Sequence, residues 1–124
     1  MILVKNHIQT GFSIEDAEIL DRVINKEIET NDIVIIDFSD ISFFTTLFFN
    51  NALTKYILTL TPTVYDKKFE IINLSDVGSS TYEHSYNNAI EYYNLPPEKR
   101  DVHEQIIKNG GWITMRCLKC LLII

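Results

Sequence analysis

Few residues in this chain could carry chemistry, and spacing decides what each can do. Cys117 and Cys120 form a Cys-Leu-Lys-Cys pair, the spacing of half a zinc site or of a redox dithiol. A structural zinc takes about four ligands. No second cysteine pair exists, and His7, His84 and His103 are scattered without ligand spacing. A redox dithiol usually opens a helix, whereas this pair falls in a terminal run of β character. The cysteines therefore read as small apolar side chains, and no metal or other cofactor is expected. Glu15/Asp16 and Asp37/Asp40 are paired carboxylates at a helix start and a strand end, where acids serve as caps and loop braces. His84 and His103 each adjoin a glutamate on a polar helix face. There is no glycine-rich phosphate loop, no Gly-x-Ser-x-Gly elbow and no His-Glu-x-x-His. No set of residues fills nucleophile, base and orienting roles together. Catalysis is not expected.

One segment does stand out. The β-branched run Ile33-Val34-Ile35-Ile36 leads into Asp37-Phe38-Ser39-Asp40-Ile41-Ser42-Phe43-Phe44 and then Thr45-Thr46. An unbroken apolar strand is expected where both sheet faces are covered. In open α/β sheets, functional crevices lie beyond the carboxyl ends of the strands. Thr45 or Thr46 can cap the helix that follows, and a hydroxyl there sits among unpaired N–H groups. A phosphate at that point would change the surface charge by about two units.

The elements that must position this segment alternate along the chain. Ile2 to Val4 reads as a first strand, with a turn at Thr10-Gly11. Ser13 reads as an N-cap with Asp16 at the capping-box position. Ala17, Leu20, Val23/Ile24 and Ile28 recur at helical spacing, leaving Glu15, Asp21, Glu27 and Glu29 on the wet side, until Asn31-Asp32. Leu47 to Leu60 carries a broad apolar stripe that predicts one deeply packed helix closed by Thr61-Pro62. Thr61 to Lys68 reads as a mobile loop and Phe69 to Asn73 as a strand. Leu74 to Gly78 is then the exit loop, and Ser79 or Ser80 caps a third helix. Tyr82, Tyr86, Ala89/Ile90 and Tyr93 share one face of that helix; the stripe reads as half-buried core rather than a base-stacking platform. A helix near 98–108 and a last strand near 112–118 complete a β-α-β-α-β-α-α-β order. This alternation predicts an α/β fold with a mixed, mostly parallel sheet of about four strands built by right-handed crossovers. The apolar tail from Cys120 either packs, extends the last strand or mediates self-association.

The chain has 124 residues, 46% hydrophobic and 23% charged, which suits one globular domain spanning 1–124. Eleven Lys+Arg against seventeen Asp+Glu give a formal charge of −6. That balance argues against general nucleic-acid binding, which needs clustered cations, and suits docking onto a basic partner. No run approaches the roughly 18 apolar residues of a membrane span. The amino-terminal residues lack the pattern of a signal peptide, so a cytoplasmic location with reduced thiols is expected.

The run Val34-Ile35-Ile36-Asp37-Phe38-Ser39-Asp40-Ile41-Ser42-Phe43-Phe44-Thr45-Thr46-Leu47-Phe48-Phe49 resembles the STAS family, the sulfate-transporter and anti-sigma-factor-antagonist domains. There a central strand ends in a pattern like Val-Val-Leu-Asp-Leu-Ser-Gly-Val, and Asp-Ser-Ser-Gly-Leu opens the second helix. The chain is more similar still to the divergent STAS-like bacterial group, in which an Asp-Phe-Ser strand end precedes a Phe-rich helix. The resemblance implies a non-enzymatic regulatory module that binds another protein, such as a histidine-kinase-like ATPase or another regulator. It places the family's phosphorylated serine on Thr46 and the preceding aspartate on Thr45, with Leu47-Phe48 where the family has Ser-Gly. A partner surface is then expected around Ser39, Asp40, Ser42, Thr45, Thr46, Phe49 and Asn50, with Ser75 and Asp76 in a neighbouring loop reaching to Thr81. Two alternatives stay open. One is a small-ligand or nucleotide site near Asp37, Asn73, Ser75 and Asp76, and the other a mobile-element inhibitor of a host enzyme.

Overall fold

A computed structural model describes residues 1–96. The expected helix near 98–108, the strand near 112–118, His103, the two cysteines and the apolar tail all lie outside the described residues.

Strand β1, Ile2–Leu3, passes into a single 3-10 turn at Val4–Asn6, one residue earlier than the sequence suggests. Helix α1, Ile14–Thr30, begins at Ser13, whose Oγ accepts the Asp16 N–H at 3.0 Å. The reciprocal half of a capping box is missing, because the Asp16 carboxylate accepts from Thr10 Oγ1 instead. Ala17, Leu20 and Ile24 form the buried face of α1. Strand β2, Val34–Asp37, follows one residue later than expected, leaving Ile33 55% exposed.

The apolar stripe from Leu47 to Leu60 is not one regular helix. Helix α2, Thr46–Phe49, passes into a π turn, Asn50–Thr54, and then helix α3, Tyr56–Leu60. Side chains here compete for backbone carbonyls. Asn51 Nδ2 donates to the Leu47 carbonyl at 2.8 Å, and Thr54 Oγ1 reaches the Phe49 carbonyl five residues back at 3.3 Å. Such competition favours local widening of a helix. All five residues of the π turn are buried. Ser85 donates to Asn50 Oδ1 at 2.6 Å, and Thr54 lies 2.7 Å from the same Ser85 oxygen. This buried polar triad keys the middle helix to α5, Asp76–Tyr93.

Two further expectations are corrected. The stretch after Thr61 is helix α4, Pro62–Lys68, and not a mobile loop. Thr61 turns the chain at φ 76° and its hydroxyl accepts the Val64 N–H. Pro62 occupies a first-turn position that tolerates proline, and Tyr65 anchors the helix in the core. After strand β3, Phe69–Ile72, the cap of α5 is Ser75 and not Ser79 or Ser80. Its Oγ accepts the Gly78 N–H at 3.0 Å, so the supposed loop through Thr81 is already helical.

Among the described residues three strands are parallel in the order β1-β2-β3, with Ile2 opposite Ile36 and Val34 opposite Phe69. Right-handed crossovers in that order place the connecting helices on one face. Ile2, Val34, Ile36 and Phe69 are buried, whereas Leu3, Ile35 and Ile72 on the alternate positions are only half-buried. Among the described residues the strand is therefore fully covered on one side, not both. The tyrosine stripe of α5 is core, as its spacing suggests. Tyr82 packs edge-on against Phe49 at 5.4 Å and lies 2.7 Å from the Tyr65 hydroxyl. Tyr92, rather than Tyr93, is the most deeply buried tyrosine at the far end of α5.

Phe44 ties these layers together. A Cβ added to Gly11 would meet one edge of its ring at 2.6 Å, and one added to Gly78 would meet the other edge at 2.8 Å. Its face stacks on Phe49 at 5.3 Å. Because the ring is gripped on both edges, it cannot swing away from a methyl group. Gly11→Ala and Gly78→Ala should each lower stability by about 1–3 kcal/mol, read from urea midpoints, while Ser79→Ala leaves the midpoint unchanged. Ser85→Ala, which strands Asn50 in the core, should cost about 1–3 kcal/mol in the same assay.

Candidate functional site

The carboxyl ends of the three strands and the starts of α1, α2 and α5 meet at one end of the molecule. An isolated parallel bridge, Gly11 with Phe44, stitches the segment before α1 to the segment before α2. Gly11 N–H donates to the Phe43 carbonyl at 2.6 Å, and Thr45 N–H donates to the Gly11 carbonyl at 2.9 Å. Side chains alternate across such a bridge. Phe44 therefore turns inward while its flanking neighbours Phe12 and Phe43 turn outward, at 61% and 65% exposed. Val77 is 67% exposed and directly precedes Gly78, the glycine at the other edge of the Phe44 ring. Three large apolar side chains thus stand in water around one half-buried aromatic clasp.

The two threonines divide their labour. Thr45 is the cap of α2: its Oγ1 accepts the Phe48 N–H at 3.1 Å and donates to the Phe12 carbonyl at 2.9 Å. Its hydroxyl is fully engaged. Thr46, the first residue of α2, is half-buried, and its hydroxyl has no hydrogen-bond partner among the described residues.

At the end of β2, three donors converge on Asp37 Oδ1. They are the Ser39 N–H at 2.9 Å, the Ser39 hydroxyl at 2.5 Å and Asn73 Nδ2 at 3.0 Å. No described residue donates to Oδ2. The Ser39 hydroxyl and then the Asn73 amide hold the Asp37 carboxyl below its ordinary value, aided by the Ser39 N–H and Lys5 and opposed by burial. Asn73 reaches across in a left-handed conformation at φ 63°, and Asp40 takes φ 66° in the next turn. Asp40 pairs with Lys5 at 3.0 Å on the surface.

The expected partner surface is brought together in part. Ser42, Ser75, Asp76 and Asp40 are exposed, and Ser39, Thr45 and Thr46 are half-buried. Phe49 and Asn50 are buried, so they support the face from below and offer nothing for contact. Of the suggested ligand residues, Asp37 and Asn73 do meet, but the Ser75 hydroxyl is used as a cap. Phe12, Phe43 and Val77 were not singled out by sequence reasoning. No local signal marks them, because the outward turn of Phe12 and Phe43 follows from the bridge between Gly11 and Phe44, which are far apart in the chain. Among the described residues no group of three or more His, Cys, Asp or Glu could hold a metal ion, and no helix is long and apolar enough to cross a membrane.

The lowered pKa of Asp37 has a definite sign. Its stabilisation is present above the unfolded value of 3.8 and is lost as pH falls through the lower folded value. Asp37→Asn should therefore be least stable relative to the parent near neutrality. Urea unfolding at a series of pH values should show the two chains converging below the unfolded pKa.

Comparison with protein families places this geometry. The model described as "STAS-like domain of unknown function (DUF4325)" matches residues 16–78, about half of the chain. The match runs from the first turn of α1 to Gly78 at the Phe44 clasp. No curated protein and no solved structure matches. The α/β order, the parallel sheet and the matched span agree: this chain belongs to the STAS-like domain family, within the broader STAS and anti-sigma-factor-antagonist superfamily.

Proposed function

We propose that the chain is a non-enzymatic regulatory module that docks another protein through the strand-end face, with Thr46 as the residue that switches docking. The observation that carries this reading is the contrast between the threonines. Thr45 is consumed by its cap and its bond to Phe12, while the Thr46 hydroxyl has no hydrogen-bond partner among the described residues, and Phe12, Phe43 and Val77 stand exposed at the same end of the fold. Exposed apolar clusters of this kind mark interaction surfaces more often than scattered single residues do. The contact set is Ser39, Asp40, Ser42, Thr46 and Asp76, with Phe12, Phe43 and Val77 as apolar anchors. Family kinship directs the first search for a partner to regulators of the histidine-kinase-like ATPase type.

A second reading rests on Asp37. Its Oδ2, to which no described residue donates, could accept a hydrogen bond from a small polar ligand, and its charge disfavours an anionic one. Thermal-shift screening with nucleosides and nucleotides separates the readings, because a ligand that binds only the folded form must raise its stability.

For the docking reading, Thr46→Glu should abolish capture of the partner that the parent chain retains from its native cell. The hydroxyl makes no hydrogen bond within the described residues, so the melting temperature should stay within about one degree of the parent. Equal capture by both chains would remove Thr46 from the mechanism.

A further inference from the structure

The strand-end face has a charge pattern that its apolar anchors do not explain. Glu15 and Asp76, in the first turns of α1 and α5, are exposed and form no ion pair among the described residues. Asp16, Asp37 and Asp40 stand on the same end of the fold. Lys5 is the one Lys or Arg on the segments that build it, and it is taken up by Asp40. The other described cations lie elsewhere. Lys55 pairs with Asp21 on the flank, Lys67 and Lys68 end α4 ahead of β3, and Arg22 and Lys26 ride the later turns of α1. Even against about half a positive charge at each of the starts of α1 and α5, the described residues leave the face negative.

We infer that the partner's docking element is a basic amphipathic segment: apolar side chains seated among Phe12, Phe43 and Val77, flanked by Lys or Arg facing Glu15 and Asp76. This rests on the docking reading above and adds the chemistry of the occupant. Charge complementarity of this kind speeds encounter and rejects wrong partners. It disfavours a second copy of the chain, because a two-fold contact would bring the same acids onto themselves. It disfavours nucleic acid and anionic membrane for the same reason. The face is also rigid before binding. The backbone at Phe12 and Phe43 is pinned by the Gly11, Phe43 and Thr45 hydrogen bonds, so little ordering entropy is lost on contact.

The test uses fluorescence anisotropy with the full chain and three labelled helical peptides of about 16 residues with leucines at helical spacing. Their remaining positions are Lys, Gln or Glu. The Leu/Lys peptide should bind, and added salt should weaken it. Phe43→Ser should reduce that affinity by about tenfold, as expected for loss of a central apolar anchor. A chain carrying both Glu15→Gln and Asp76→Asn should lose a similar factor at low salt and most of the salt dependence. Ile33→Ser, at the other end of β2, should change neither. If the Leu/Gln or Leu/Glu peptide binds as tightly and with the same Phe43 dependence, the partner chemistry is wrong while the docking face stands. If no peptide responds to Phe43→Ser, the docking face itself fails. A Phe43-dependent dimer on size-exclusion chromatography would make a second copy the occupant and overturn the inference.

Discussion

One aromatic ring holds the strand-end face of this fold in shape. Phe44 enters from the loop after β2, slides between Gly11 and Gly78, and stacks on Phe49 of α2. Those contacts reach the lead-in to α1, the start of α5 and the middle helix. Three segments far apart in the chain are thus brought to one place by apolar packing that tolerates no side chain at either glycine. The outward display of Phe12 and Phe43 is a direct result. When Phe44 and Gly11 pair with the ring inward, the pleat sends the adjacent side chains out.

The middle crossover obeys a related constraint. A parallel sheet with helices on one face leaves the central helix packed between α1 and α5, and its interior side must accept contact from both. The π turn at Asn50–Thr54 meets this need by burying five successive residues, which a regular helix of that length would not do. Two of the five are asparagines and one is a threonine, and Ser85 and the Leu47 and Phe49 carbonyls give their side chains partners inside the core. On the flank, Asp21 receives Lys55 at 2.8 Å and the Tyr56 hydroxyl, and burial and the nearby carboxylate push the Tyr56 pKa upward. The polar ties of the core are thus partnered, not spare chemistry.

Much of this was legible in the residues because it is local. The Ser13 cap, the buried face of α1, strands β2 and β3 and the α/β order follow from spacing and caps over a few positions. What escaped depends on distant partners. Asp21 reads as a wet-side acid, yet its two partners lie 34 and 35 residues along the chain. Phe49 and Asn50 follow the exposed loop closely in sequence, but the clasp and Ser85 draw them inside. Thr61-Pro62 is ambiguous by nature, since the pair ends one helix and begins the next equally well. Of Ser75, Ser79 and Ser80, Ser75 takes the cap because Asn73 has already turned the chain and Gly78 must reach Phe44, which leaves the other two inside α5.

A switch that adds negative charge to an already negative face would help a basic partner if it acted at the rim. In the proposed docking face Thr46 is half-buried beside the capping residue Thr45, whereas Glu15 and Asp76 are exposed, so the proposal assigns Thr46 to the inner part of the contact and the two carboxylates to its rim. A charge placed in the centre of an interface loses its water before it gains a counter-ion, and that desolvation outweighs a modest attraction unless a cation is aimed at it. Four residues of α2 before the π turn supply little helix dipole to offset the loss. Under the proposed docking, rim acids that attract and an inner hydroxyl that must stay neutral are therefore compatible on one surface: the first would set the kind of partner, and the second whether it can seat.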